Sequence, residues 1–261
     1  MFAGASQWIS SLSRLLDIIY PSPCPYCQRR IRPDNSKNKS KNKTALDTVV
    51  PFCSVCWGKV RRLEGAQCPR CGAPFRSQTT LSHSPDHCCG DCRKDPPFFS
   101  RAITPYLYEG PLAKAIQLMK YQKRSQFAGP LAALLFDALQ STEIDLVMAI
   151  PLHPKKLRAR EFNQSLLLAK GISRRLKRPL AIDGIRRVRD TLPQVGLSKT
   201  KRIKNIHRAF CVVDPHIIAG RSILLIDDVY TTGATLREGA RILMKSGANN
   251  VIVAAPSRMV L

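Results

Sequence analysis

The stretch Ser222-Ile223-Leu224-Leu225-Ile226-Asp227-Asp228-Val229-Tyr230-Thr231-Thr232-Gly233-Ala234-Thr235 constrains the fold of this chain more than any other. The aliphatic run Ile223 to Ile226 leads into two carboxylates and then a small turn rich in hydroxyls. Beyond the turn, Leu236, Ala240, Ile242 and Leu243 recur at helical spacing. A short apolar run closed by polar residues reads as a strand buried on both faces, as in a parallel sheet. The turn then joins strand to helix, with Thr235 near the helix N-cap.

That geometry carries chemistry. Backbone N–H groups at a helix N-terminus point outward with partial positive charge and bind phosphate. Gly233 lets the backbone approach an anion closely, and the hydroxyls of Thr231, Thr232 and Thr235 add donors. Asp227 and Asp228 at the strand end are acceptors suited to sugar hydroxyls or to magnesium-bound water. A phosphate cradle beside such a carboxylate pair describes a ribose 5-phosphate site.

The stretch resembles the phosphoribosyl-diphosphate (PRPP) motif of type I phosphoribosyltransferases: four hydrophobic residues, Asp-Asp, then Thr-Thr-Gly-X-Thr. That resemblance implies that Asp227, Asp228, Thr231, Thr232, Gly233, Ala234 and Thr235 bind PRPP together with magnesium. The plainer alternative is an ordinary strand–turn–helix with surface aspartates. A Walker loop is excluded, because no Gly-Lys-Ser/Thr follows the glycine.

Ten cysteines stand in the chain, and eight fall in Cys-x-x-Cys pairs: Cys24/Cys27, Cys53/Cys56, Cys68/Cys71 and Cys89/Cys92. Two such pairs bring four thiolates round one tetrahedral zinc, because the two-residue spacer turns both sulfurs toward one point. Two zinc sites are expected, from Cys24, Cys27, Cys53 and Cys56 and from Cys68, Cys71, Cys89 and Cys92. Sequential pairing is the simpler arrangement, and a cross-braced one uses the same residues. Cys88 is an alternative to Cys89, and His83 or His87 an alternative ligand. A disulfide framework competes, but no secretory signal supports an oxidising compartment. Cys211, alone in a later apolar segment, reads as a core thiol.

The first twenty residues place Trp8, Ile9, Leu12, Leu15, Leu16 and Ile19 on one helical face, an amphipathic helix packing on the cysteine module or, alternatively, a membrane-surface or partner helix. No apolar run of about eighteen residues exists, so no transmembrane helix is expected and the chain reads as cytoplasmic. Residues 29–43 form a basic, low-complexity loop. The cysteine module ends near Cys92, and Lys94-Asp95-Pro96-Pro97 reads as a linker, dividing the chain into 1–95 and 96–261. In the second part, strands alternate with helices: strands over 102–108, 146–150, 181–189, 209–213, 223–226 and 251–255, helices after Pro111, over 127–140, from Phe162 and after Thr235. This is a doubly wound, mainly parallel α/β sheet, in which ligands sit beyond the carboxyl ends of the strands.

The loop from Pro151 to Gln164 leaves such an end and carries Lys155, Lys156, Arg158 and Arg160. If PRPP lies on the Asp227/Thr231 cradle, its diphosphate needs cationic donors of this kind. His153 beside them reads as a capping or packing residue, with general acid as the alternative.

Together these segments resemble one family closely: ComF, the competence-associated phosphoribosyltransferase-like proteins with an N-terminal double zinc ribbon. The likeness takes in the cysteine pairs, Leu118-Met119-Lys120-Tyr121, the 151–164 segment, Thr191-Leu192-Pro193-Gln194-Val195-Gly196-Leu197 with Arg202 and Asn205, and the Asp227–Thr235 loop. One departure stands out. The family usually has Arg-Gly-Phe-Asn-Gln where this chain has Arg160-Glu161-Phe162-Asn163-Gln164, so Glu161 is expected to bring negative charge toward the diphosphate site. The insertion over 33–48 also departs, in a loop that grows at little entropic cost.

The formal net charge is +24, and the window from Lys155 to Arg208 holds seventeen Lys/Arg against three acids, Glu161, Asp183 and Asp190. One small anion does not need so much, which favours a polyanionic partner. ComF membership implies single-stranded DNA and contacts with other competence or helicase proteins; RNA is the alternative polyanion. Phe52, Trp57, Phe75, Phe98 and Phe99 are candidates to stack on bases, against core packing. Two other readings compete with a PRPP-binding protein of DNA uptake: a phosphoribosyltransferase of nucleotide or nucleobase metabolism, and a zinc-ribbon nucleic-acid binder with a non-catalytic PRPP site. A glutamine-dependent amidotransferase is disfavoured, because Phe2 follows Met1 and offers no N-terminal cysteine nucleophile.

Overall fold

The computed structural model describes residues 23–31, 52–77, 84–139, 142–191 and 198–260. The amphipathic first twenty residues, most of the basic 29–43 loop, His83 and 192–197 lie outside the described residues.

After two short helical turns, Ser54–Trp57 and Gly90–Lys94, the chain runs β1 (Arg101–Ile103), β2 (Tyr106–Leu107), α1 (Gly110–Tyr121) and α2 (Ala128–Phe136). It continues through β3 (Leu146–Ala149), α3 (Pro154–Arg160), α4 (Gln164–Leu176), β4 (Leu180–Ala181), β5 (Ile185–Arg187), α5 (Lys199–Ile206) and β6 (Phe210–Val212). Then come β7 (Ser222–Ile226), β8 (Val229–Tyr230), α6 (Ala234–Lys245), β9 (Asn250–Ala254) and β10 (Ser257–Arg258).

The main sheet has the order β1-β9-β7-β3-β4, and every pairing in it is parallel. Alternate residues of β7 show why its sequence is apolar throughout. Leu224 and Ile226 enter one core with Phe127, Leu131, Leu135, Leu168 and Ile172, while Ile223 and Leu225 enter the other with Leu236, Ala240 and Leu243. Helices therefore cover both faces, as the doubly wound reading requires. From β7 the chain crosses to β9 on one side, and from β3 it crosses to β4 on the other. The topological switch point lies between β7 and β3, where a ligand crevice belongs.

Several local expectations are corrected. The 181–189 strand is two short strands, β4 in the main sheet and β5 in an antiparallel ribbon with β6. Cys211 sits on that two-stranded ribbon, where side chains alternate; Phe210 points inward and Cys211 is exposed, so it is no core thiol. The loop after Pro151 is mostly helix α3, and the basic segment before β6 contains helix α5. β8, β10 and β2 form a small parallel sheet beside the main one. No helix among the described residues is long and apolar enough to cross a membrane.

Candidate functional site: a carboxylate cleft and two cysteine quartets

A cleft of about 450 Å³ opens at the switch point, over the carboxyl ends of β7 and β3. Its floor is Asp227 and Asp228, one side is the Thr231–Thr235 turn, and the other side is basic. Gly233 is the N-cap of α6, with φ +75°, and Thr235 is the second helical residue, close to the cap as expected. Only glycine fits at 233, since a Cβ there would stand 2.3 Å from the Tyr230 hydroxyl. The first N–H groups of α6 have no carbonyl one turn back, so they face the cleft as donors. Thr232, expected among the ligand residues, is not on the cleft lining; its hydroxyl is buried and has no hydrogen-bond partner among the described residues.

The two aspartates are not equivalent. Asp228 is buried and paired with Lys120 Nζ at 2.7 Å. Burial alone would lower the Lys120 pKa, but the charge of Asp228, its hydrogen bond and the nearby Asp227 hold it above the ordinary lysine value. Asp227 accepts from the Ser165 hydroxyl and from the Asp228 N–H, each at 2.9 Å. Burial, then the charge of Asp228, pushes the Asp227 carboxyl up to about 6, against the pull of Lys120 and those two donors. Ser165 is aimed by Asn163, which caps α4 through Ser165 N–H and donates to the Ile150 carbonyl at 2.9 Å.

Of the four cations expected to face the diphosphate, Lys156 and Arg160 line the cleft. Lys155 and Arg158 do not: α3 turns them to solvent, and Lys155 lies 3.5 Å from Asp190. His153 caps α3 through its Nδ1, which accepts from the Lys155 N–H at 3.4 Å. The structure adds cations that sequence reasoning missed. Arg187 is buried, lies on the cleft wall, bonds the Thr191 hydroxyl, and has an Nε without a partner. Burial lowers the pKa of Lys156 and Arg187, and for Lys156 the Arg187 charge adds to it. Cations crowded into one partly buried wall favour an anion opposite them. The Lys120-Tyr121 pair was the one usable signal for Lys120; nothing local marks Arg187.

Glu161 does not point at this wall. It adopts φ +68° as the left-handed C-cap of α3 and pairs with Lys123 on the exposed surface. The expected negative charge at the diphosphate site is therefore corrected. The backbone conformation also explains why a glycine suits this position. Glu161→Gly should relieve about 1 kcal/mol of left-handed strain and lose little with the exposed pair. A rise in Tm of about 2–4 °C with unchanged ligand affinity is expected from calorimetry; a change in affinity would return Glu161 to the cleft.

The eight paired cysteines gather into two quartets, Cys24/Cys27/Cys53/Cys56 and Cys68/Cys71/Cys89/Cys92, with all ligand atoms of each within 4.8 Å of one another. The pairing is sequential. The two knuckles are built alike: Cys-Pro-x-Cys followed by a left-handed residue, Gln28 at φ +64° and Gly72 at φ +70°. Cys53 N–H and Cys89 N–H donate to the sulfurs of Cys24 and Cys68 at 3.4 and 3.3 Å. Burial works against the Cys24 thiolate, but N–H donors from Cys27, Cys53 and Tyr26 outweigh it and bring that thiol to about 6. Cys68 reaches about 7 for the same reasons, while burial and the Cys68 and Cys89 charges push Cys71 up to about 11. Four thiolates this close need a cation among them, so each quartet fits a tetrahedral metal ion. Cys88 stays outside the quartet, and His87 packs on Phe75 with ring centroids 5.7 Å apart. Of the aromatics proposed for base stacking, Phe52 and Phe99 are fully buried and Phe98 is exposed.

Comparison with known proteins agrees with this arrangement. The phosphoribosyl transferase domain family matches residues 163–258. Over 209 residues the chain is 36% identical to DNA utilization protein YhgH of Escherichia coli (strain K12), covering 77% of this chain and 88% of that protein. It is 31% identical to Competence protein F of Haemophilus influenzae over 210 residues, with 77% and 88% covered. Competence protein ComFC of Bacillus subtilis is 27% identical over 206 residues, with 75% and 78% covered. A type I phosphoribosyltransferase-like sheet with cysteine clusters fit for zinc ribbons, and this identity over most of the length of its relatives, place the chain in the ComF family.

Proposed function

We propose that this protein binds PRPP with magnesium in the cleft, holds zinc in its two cysteine quartets, and acts on single-stranded DNA during DNA uptake. The observation that carries the PRPP reading is the cleft floor: a carboxylate pair set between a helix N-terminal turn and a wall of Lys156, Arg160 and Arg187. The 5-phosphate takes the Thr231–Thr235 turn, of which Thr231, Gly233, Ala234 and Thr235 line the cleft. Asp227 and Asp228 hold the ribose diol or magnesium-bound water, and the diphosphate faces the basic wall. Magnesium, when bound, neutralises diphosphate charge. Titration calorimetry with PRPP and magnesium tests this reading; no heat of binding would remove it.

The DNA part rests on the printed names of the relatives, competence and DNA utilization, and on the charge surplus beyond one PRPP. Retention on single-stranded DNA should fall steeply with salt. Four or five phosphate contacts give a log–log slope of roughly −3, and no salt-sensitive retention at low ionic strength would exclude the DNA partner. Helicase and other competence proteins remain candidate partners for a pull-down from competent cells.

A second reading has its own observation. Tyr108 and Tyr121 line the cleft, and Tyr121 is 65% exposed with the Arg160 guanidinium 5.8 Å from its ring centroid. Such a flat platform suits a planar acceptor, as in a phosphoribosyltransferase of nucleobase metabolism. Release of diphosphate from PRPP across a panel of bases and amines separates a transferase from a non-catalytic PRPP binder.

A further inference from the structure

Arg258 is 4% exposed, and it forms no ion pair among the described residues. Its Nη2 donates to the Cys71 carbonyl at 2.7 Å, while its Nε and Nη1 are buried without hydrogen-bond partners among the described residues. The guanidinium carbon lies 4.2 Å from the centroid of the Tyr230 ring. This stacking follows from the register, because Arg258 and Tyr230 are paired neighbours in the parallel β10–β8 ladder. The same Tyr230 ring lies directly against Gly233, where a Cβ would stand 2.5 Å from its Cζ. Arg258 thus has a metal-ligand backbone on one side and, through one aromatic ring, the phosphate turn on the other.

The charges explain why a cation belongs there. Four thiolates round a divalent ion leave a net charge of about −2 in a poorly solvated place. A buried guanidinium is costly alone, yet next to such a centre it is compensated. Hydrogen bonds to the backbone and side chains of ligand residues also tune how tightly a metal is held.

We propose that Arg258 is a positioning residue that ties the Cys68/Cys71/Cys89/Cys92 centre to the Thr231–Thr235 turn, so that the metal ribbon sets the order of the phosphate cradle. The cradle's role rests on the PRPP reading above; the mechanical link does not. Lysine cannot replace arginine fully here, because only the planar fork reaches the Cys71 carbonyl and stacks on Tyr230 together.

The test uses the zinc-loaded full chain and three readouts: zinc release to a chromogenic chelator, hydrogen exchange of the 232–236 amides, and PRPP–magnesium affinity. Arg258→Met should release one of the two zinc equivalents about tenfold faster, raise exchange across 232–236, and weaken PRPP about tenfold. Tyr230→Leu should raise that exchange and leave zinc release near wild type, because it breaks the chain of contacts beyond Arg258. Arg258→Lys, the safeguard should the methionine variant not fold, should keep zinc and still loosen the turn. Wild-type exchange over 232–236 in the Arg258 variants would overturn the proposal, as would zinc release unchanged in Arg258→Met. Absence of PRPP binding by the wild-type protein would instead remove the functional reading, with the exchange and release measurements still deciding the link.

Discussion

Removing metal from both quartets is expected to unfold the sheet together with the cysteine-rich segment, in one cooperative transition. Taken alone, the sequence suggests that chelation unfolds only the first ninety residues. The packing argues otherwise. Cys24, Phe52 and Cys56 belong to the same core as Leu112, Phe127, Leu131 and Leu224, with the Phe52 and Phe127 rings 4.9 Å apart. Cys68, Cys71 and Cys92 belong to the core on the other face, with Leu225, Leu236 and Val253. Backbone bonds join the parts as well: Leu63 N–H to the Pro105 carbonyl at 2.8 Å, Leu107 N–H to Arg61 at 3.0 Å, and Ala102 N–H to Arg70 at 2.8 Å. Structural zinc contributes about 10–16 kcal/mol in small metal domains, against about 5–15 kcal/mol for the whole stability of a typical domain. Its loss therefore exceeds what the sheet can absorb. Circular dichroism at ambient temperature should show the sheet already unfolded after chelation, with no cooperative thermal melt left, and Cys92→Ser, which opens one quartet, should lower the melting transition. A sheet transition unmoved by chelation, or elemental analysis finding no zinc, would refute this.

The second large effect belongs to the carboxylate pair. Asp228→Asn should weaken PRPP about 10- to 100-fold, the loss of a charge-assisted contact of about 1.5–3 kcal/mol. It should also destabilise the fold, because it leaves the Lys120 ammonium without its partner at 2.7 Å. The double variant Lys120→Met/Asp228→Asn separates the two effects: stability should return and affinity should not. Thr235→Ala should weaken PRPP without a comparable loss of stability. Unchanged affinity in both Asp228→Asn and Thr235→Ala would reduce the motif to a structural remnant.

Asp227 adds a pH dependence. Its folded-state pKa, about 6, stands above the ordinary aspartate value of 3.8, so the folded state holds the proton more tightly. This group's contribution to stability therefore falls as pH rises from about 4 to about 6. Ligand binding should run the other way, since the ionised carboxylate is the form that accepts from a diol or magnesium-bound water. PRPP–magnesium affinity should climb through about pH 6, and Asp227→Asn should flatten the part of the profile that does not come from PRPP itself. An identical profile in the variant would place the titrating group elsewhere.

How far the sequence went is clearest residue by residue. Ile223–Ile226 with Asp227-Asp228 fixed a buried parallel strand and the carboxylate floor, because a four-residue aliphatic run beside a polar turn has few other uses. The Cys-x-x-Cys spacing marked all eight ligands, since knuckle geometry is local, but it left sequential and cross-braced pairing open until the structure brought the pairs together in sequence order. Lys155 and Arg158 were misplaced because charge count says nothing of helical phase: α3 turns alternate cations away from the cleft. Arg187 was invisible as a site residue, being delivered by a ribbon, and Lys120 was marked only by the Leu118–Tyr121 likeness, with its pairing to Asp228 set by a helix distant in sequence. The same holds for Arg258, an unremarkable basic residue near the end of the chain until β10 lies beside β8. Local periodicity and metal-ligand spacing thus determined the fold class, the motif and the eight ligand cysteines. Only tertiary packing decided which charges meet, because contact across a sheet depends on strand order and register, which no short stretch of sequence contains.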